Sequence, residues 1–237
     1  VEPDEALRSR AASLGVQTFA DAADVKLARN PNIIVIAVKP QVMSAVLPVY
    51  KPFAEGGSAF VSIAAGIGST FFVDILGVST PVIRCMPNTP AAIGKGMLVY
   101  CQNEHVNAQT ENFVRELLSK SGRVAKVERE ELIDAVTAVS GSGPAYVFHF
   151  IECLTEAAIA AGLPREIAGE LAMQTVMGAG ALAARSADSP GRLREQVTSP
   201  NGTTAAALHV LMSEGRMQKL VGEAVAAAHK RAVELGS

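Results

Sequence analysis

Two stretches of the chain combine hydroxyls, glycine and proline in an order that builds a helix entrance: Ser142-Gly143-Pro144 and Ser199-Pro200-Asn201-Gly202-Thr203-Thr204. In the first, a capping hydroxyl and a flexible glycine precede a proline at the position where its missing N–H costs nothing. The second repeats the arrangement with extra hydroxyls and with a glycine that permits close approach of the backbone. A helix entrance presents free N–H donors and a partial positive charge, which suits a carboxylate or a phosphate. Other chemistries lack their residues. His105, His149, His209 and His229 are scattered, and no His/Asp pair or metal-ligand spacing occurs, so no metal is expected. Cys85, Cys101 and Cys153 are odd in number, far apart and outside any Cys-x-x-Cys, which suits a reduced, cytoplasmic setting.

The elements that must carry these turns change along the chain. Residues 32–38, 58–64 and 81–86 are short apolar runs rich in β-branched residues, as expected of strands covered on both faces. Residues 41–47 and 69–76 read as the intervening helices, which implies a parallel sheet with helices on both sides. Three strand ends pass into small, kinked or polar residues: Val38-Lys39-Pro40, Ala64-Ala65-Gly66 and Met86-Pro87-Asn88-Thr89-Pro90. Ligands of open parallel sheets bind outside such carboxyl ends. After Glu128-Arg129-Glu130-Glu131 the β-branched runs stop and Ala/Leu/Gly helical patterns continue to the end. The expected organisation is an α/β domain over 1–129 and an all-helical domain over 130–237. Small residues such as Ala157, Ala161, Gly178 and Gly180 permit close helix approach, in an interlocked dimer or in a tightly packed monomer.

No Gly-x-Gly-x-x-Gly follows a strand, and Gly94-Lys95-Gly96 lacks the spacing and the helix. Val1-Glu2-Pro3-Asp4 reads as a strand end leading into an amphipathic helix from Pro3, with acids at its positive end. In a dinucleotide fold this is the second strand, so the chain is expected to start about one β-α unit late and, without that unit, to bind dinucleotide poorly. The formal charge of -2 and pI near 6.1 offer no basic surface for nucleic acid. No uninterrupted apolar stretch reaches the length of a membrane span, and no signal peptide opens the chain. At 49% hydrophobic and 19% charged, the 237 residues suit small-molecule chemistry in a globular protein.

Four segments, in order and spacing, resemble the pyrroline-5-carboxylate reductase family. They are Ala37-Val38-Lys39-Pro40; Arg84-Cys85-Met86-Pro87-Asn88-Thr89-Pro90; Asp134-Ala135-Val136-Thr137 leading to Ser140-Gly141-Ser142-Gly143-Pro144-Ala145-Tyr146; and Val197-Thr198 followed by residues 199–204. The resemblance implies a Rossmann-like α/β domain followed by a helical one. It implies reduction of the cyclic imine Δ1-pyrroline-5-carboxylate to L-proline by NADPH or NADH, and assembly as a homodimer or a ring of dimers. Carried over position by position, Thr204 faces the ring nitrogen, while Ser199, Gly202 and Thr203 hold the carboxylate. Ala37, Val38, Lys39 and Pro40 line the ribose–nicotinamide path, with Ile63, Ala64 and Ala65 opposite and Asn88 near the nicotinamide. Gln196 meets the cofactor, and Glu130 reaches the substrate. Two of these residues keep a second reading: Lys39 as a solvated strand-end charge, and Glu130 as a helix-start acid.

Asn201 stands where the family usually has glycine. Asparagine is the residue best able, after glycine, to adopt left-handed backbone, so the turn is expected to survive. Glu2 stands where dinucleotide enzymes read the ribose 2′ position, and an acid there repels a 2′-phosphate. The family commonly uses NADPH, so the preference stays open. The rival expectations are a β-hydroxyacid-type dehydrogenase and a non-catalytic dinucleotide-binding or helical scaffold. The first relies on a helix lysine, and none occurs between Lys126 and Lys219.

Overall fold

A computed structural model of the chain describes residues 1–25 and 29–236, which form two compact units. One comprises Val1–Gly141 with Lys230–Ser237, the other Ser142–His229.

The first unit is built on a five-stranded sheet in chain order: β1 (Ile33–Ile36), β2 (Ala59–Ser62), β3 (Val82–Met86), β4 (Gly96–Gln102) and β5 (Gly122–Lys126). The strands β1, β2 and β3 are parallel, as their runs predict. The sheet as a whole is mixed, because β4 runs antiparallel to β3 and then pairs in parallel with β5. The parallel sheet expected from the first three runs is present and is extended by an antiparallel strand. The segment between β3 and β4 is too short for a crossover and makes a 3-10 turn over Thr89–Ile93, closed by left-handed Gly94 (φ 69). β2 and β3 are buried at every position, and their apolar runs reflect that double cover.

One face packs Ile36, Phe60 and Val82 against Met43 and Leu47 and against α4 (Ser69–Leu76), through Phe72 and Leu76. The other packs Val61, Ile83 and Leu98 against Val114 of α5 (Ala108–Ser119). Ile133 of a short helix, Leu132–Val136, joins Met86, Val99 and Cys101. Residues 130–141, assigned by sequence to the helical half, thus belong to the sheet unit's compact body. The expected helix over 41–47 is broken into 3-10 and α turns across Pro40–Val42, Met43–Val46, Leu47–Tyr50 and Lys51–Glu55. Pro48 and Pro52 remove the N–H donors that a continuous helix needs.

At the start, Asp4 caps α1 (Glu5–Ser13) by accepting the Leu7 N–H at 2.9 Å. Residues 1–4 are not a strand, and none of α1 is buried, so the amphipathic reading of this helix fails.

The second unit is helical: α7 (Gly143–Ala160), α8 (Arg165–Arg185), α9 (Pro190–Gln196), α10 (Thr203–Met212) and the first part of α11 (Arg216–Gly236). The short helix Leu132–Val136 is α6; α2 and α3 are Met43–Val46 and Lys51–Glu55. Left-handed Gly162 (φ 101) and Pro164 end α7 and start α8. By length and composition alone α8 is apolar enough to cross a membrane, although Glu166 and Glu170 interrupt its apolar run. Its Ala168 and Ala172 are the unit's buried residues, on a helix otherwise open and rich in alanine and glycine.

Candidate active site

The turn over residues 199–204 is tighter than a cap. Asn201 sits in the left-handed region (φ 60), as its type predicts. The Gly202 N–H donates to the Ser199 carbonyl at 3.1 Å, and a Cβ on Gly202 would collide with Ser199 Oγ. Gly202 then takes the N-cap position of α10 in extended geometry, with no side chain capping the helix. The expected hydroxyl cap is absent, because the N-cap residue is Gly202, which has no side chain to accept from the first-turn N–H groups. Those donors have no intrahelical acceptor, and they share the entrance with the half-buried Thr204 and the exposed Ser199 and Thr203. Gln196, exposed, donates its side-chain amide to Asp188 at 2.8 Å. Behind the turn, Arg194, Thr198, Ala205 and His209 help line a cavity of about 490 Å³.

The other hydroxyl-rich segment behaves differently. Ser142 is in αR geometry with no cap hydrogen bond, directly after a π-helical turn, Thr137–Gly141, that continues α6. Helix α7 starts at Gly143 with Pro144 in its first turn, as expected, but the expected Ser142 cap is corrected: the residue is already in helical geometry and its hydroxyl does not cap. A π turn absorbs an extra residue without ending the helix.

In the sheet unit, most of the side chains at the strand ends turn inward. Val38, Ile63, Ala64 and Ala65 turn into the apolar clusters of the sheet's faces. Ala37 and Lys39 are exposed, and Lys39 precedes the 3-10 turn that Pro40 opens. Asn88 is spent locally: its amide donates to the Ser140 carbonyl at 3.1 Å and its Oδ1 accepts the Met97 N–H at 2.9 Å. It ties the end of β3 to the start of β4 and to the π turn.

Glu130 is the centre of a network that the sequence did not reveal. Its Oε1 accepts the Ser69 N–H at 2.7 Å and Arg84 Nη1 at 2.6 Å, and its Oε2 accepts the Ser69 hydroxyl. It serves as an acid at a helix start, but the helix is α4 rather than its own. Burial would raise the Glu130 carboxyl, yet the hydrogen bonds from Ser69 and Arg84 outweigh it and hold it below the ordinary carboxylate range. Arg84 has only 8% of its side chain exposed. The one signal for it was a cation inside an otherwise apolar strand run. With Gly66, Gly68, Asp134, Val233 and Gly236 it lines a cavity of about 220 Å³. Burial pushes the Cys85 thiol up to about 12 and the Cys101 thiol up to about 11; neither is a nucleophile at neutral pH. Among the described residues no group of His, Cys, Asp and Glu is arranged to hold a metal.

Residues 130–235 match the family model for pyrroline-5-carboxylate reductase dimerisation. The pyrroline-5-carboxylate reductase of Pseudomonas aeruginosa is 43% identical over 87% of this chain and 75% of its own length. A solved pyrroline-5-carboxylate reductase from Coxiella burnetii superposes with a TM-score of 0.89 at 36% identity, over 95% of this chain and 83% of its own. The Plasmodium falciparum pyrroline carboxylate reductase, solved with NADP bound, gives a TM-score of 0.78 at 34% identity, over 89% and 79%.

Proposed function

The chain belongs to the pyrroline-5-carboxylate reductase family, and from that premise we propose how its two units divide the work. The enzyme reduces Δ1-pyrroline-5-carboxylate to L-proline with NADPH or NADH. The rival readings, a β-hydroxyacid-type dehydrogenase and a non-catalytic scaffold, give way to this membership.

The helical unit holds the imine. The uncapped entrance of α10 carries the reading: it offers unpaired N–H donors, a partial positive charge and three hydroxyls in one turn. Ser199, Gly202 and Thr203 hold the substrate carboxylate through hydroxyl and N–H groups. Thr204 hydrogen-bonds the ring nitrogen and draws the C=N electrons toward it, which prepares the imine carbon for reduction. No metal or acid–base dyad is required.

The sheet unit holds the dinucleotide, whose reduced nicotinamide supplies the hydride when bound. The strand ends fit its ribose–nicotinamide part. The side chains of Val38, Ile63, Ala64 and Ala65 are taken up by the sheet's apolar clusters, Ala37 and Pro40 add little bulk, and Lys39 is an exposed cation. Asn88 shapes this end by bracing the chain beside it. Gln196 is assigned to the cofactor through its position beside the substrate turn. Glu2 accepts the Asp4 N–H at 3.0 Å; comparing rates with NADH and NADPH tests its effect, and a strong NADPH preference would sink the idea of a 2′-phosphate-repelling acid.

The protein assembles through the region matched by the dimerisation model. A homodimer, with rings of dimers built from it, is the proposed state. A cytoplasmic location is supported by its three free thiols.

Thr204→Ala tests the catalytic assignment. Losing the hydroxyl is expected to lower kcat/KM for the imine by about 10²-fold with an unchanged melting profile. Wild-type activity in this variant would refute the role.

A further inference from the structure

The carboxylate at the entrance of α4 comes from far along the chain. Gly68, the N-cap residue of α4, has no side chain to close the helix, and Glu130, 61 positions after Ser69, supplies the acceptor for the Ser69 N–H. The same carboxylate binds the Ser69 hydroxyl and Arg84 Nη1, so three donors converge on it. Arg84 lies in β3, paired with Ser62 of β2. Glu130 therefore joins the middle of β3 to the first residue of α4, across the turn over residues 63–68 that links β2 to α4.

That turn is held on a second flank. Gly66 is left-handed (φ 76), and a Cβ there would press to 2.7 Å from the carbonyl oxygen of Leu235, in the last turn of α11. Residues 63–65 thus lie in a segment braced by α11 at one point and by Glu130 at its end. The end of β1 is different: Lys39 leads into its 3-10 turn with no side-chain cap.

We propose that Glu130 is a positioning residue of the dinucleotide site, acting through Ser69 and Arg84 on the turn over residues 63–68, and that it does not touch the imine. The inference rests on the reading that Ile63, Ala64 and Ala65 face the dinucleotide. It replaces the substrate contact expected for Glu130, since both carboxylate oxygens are already engaged inside the unit.

The test uses Glu130→Gln and Ser69→Ala, with NADPH affinity measured by calorimetry in the absence of imine, and amide exchange followed at residues 66–69 without dinucleotide. Glu130→Gln is expected to weaken NADPH binding about 10-fold, equivalent to about 1.4 kcal/mol, to speed exchange at these amides, and to leave the imine KM within about twofold. Ser69→Ala removes one donor without stranding the buried guanidinium, so it carries the test if Glu130→Gln fails to fold; about a threefold loss of NADPH affinity is expected. A raised imine KM with unchanged NADPH affinity restores the substrate contact and overturns the proposal. Unchanged NADPH affinity in Ser69→Ala and Glu130→Gln together also overturns it. Lys39→Glu separates the underlying reading: if that reversal of charge leaves NADPH affinity unaltered, the placement of the dinucleotide at these strand ends fails, and the inference falls with it.

Discussion

The two units bury their apolar residues in opposite ways. In the sheet unit Phe60, Phe72, Ile83 and Leu76 are essentially inaccessible. In the helical unit the buried residues are Ala168 and Ala172, while Phe148 is 59% exposed and Met177 58%. A sheet with helices on its faces closes its own core. Helices whose large apolar residues stay open need another surface to cover them, and patches of that kind mark interfaces. The dimerisation model that spans residues 130–235 accounts for this excess.

The contrast is most sharply tested in the sheet core. Phe60→Ala is expected to cost about 3–5 kcal/mol in chemical denaturation, because its ring is fully buried among the unit's own residues. A much smaller loss would mean that the sheet unit is not self-sufficient. Phe148→Glu addresses the other side of the comparison: if this face is the one that self-association covers, the dissociation constant of the assembly is expected to rise about 100-fold in sedimentation equilibrium. An unchanged constant would place the interface elsewhere.

A smaller effect belongs to the strand edge of the sheet unit. Glu111 accepts Lys126 at 3.0 Å, the Tyr100 hydroxyl at 2.8 Å and Gln102 at 3.0 Å. Lys126, then Tyr100, hold its carboxyl below the ordinary range. A depressed carboxyl contributes stability that is complete above the unfolded value, about 4.3, and is lost as pH falls through the folded value. The stability gap between wild type and Glu111→Gln is thus expected to be constant above about pH 6 and to close under acid. A gap that persists at low pH would show that packing, not charge, is responsible. The smallest change is expected for Asn201→Gly, within about 1 kcal/mol of wild type and with activity kept, since both residues accept left-handed backbone. A large loss of activity with folding intact would give the Asn201 side chain a role that the turn geometry does not require.

Much of this was legible without coordinates. The first three strands and the helix over residues 69–76 followed from apolar runs and their flanks, since burial on both faces leaves a local mark. The left-handed Asn201 followed from residue type, and the turn over 199–204 stood out by composition. The strands β4 and β5 are not among the expected elements, although Leu98-Val99-Tyr100 carries a β-rich signal. The helix start at Gly143-Pro144 followed from residue type, but the Ser142 cap did not form, because the π turn before it already sets the backbone helical.

Residue types and short-range order determined the sheet's parallel half, the helical half, the left-handed turn over residues 199–204 and the family. The tertiary structure alone decided the antiparallel turn to β4, the pairing of Arg84 with Glu130 and the service of that acid to a helix far from it in sequence. Local propensity is set by neighbours along the chain. The partner of a buried charge is chosen by which elements meet, and no spacing rule encodes it.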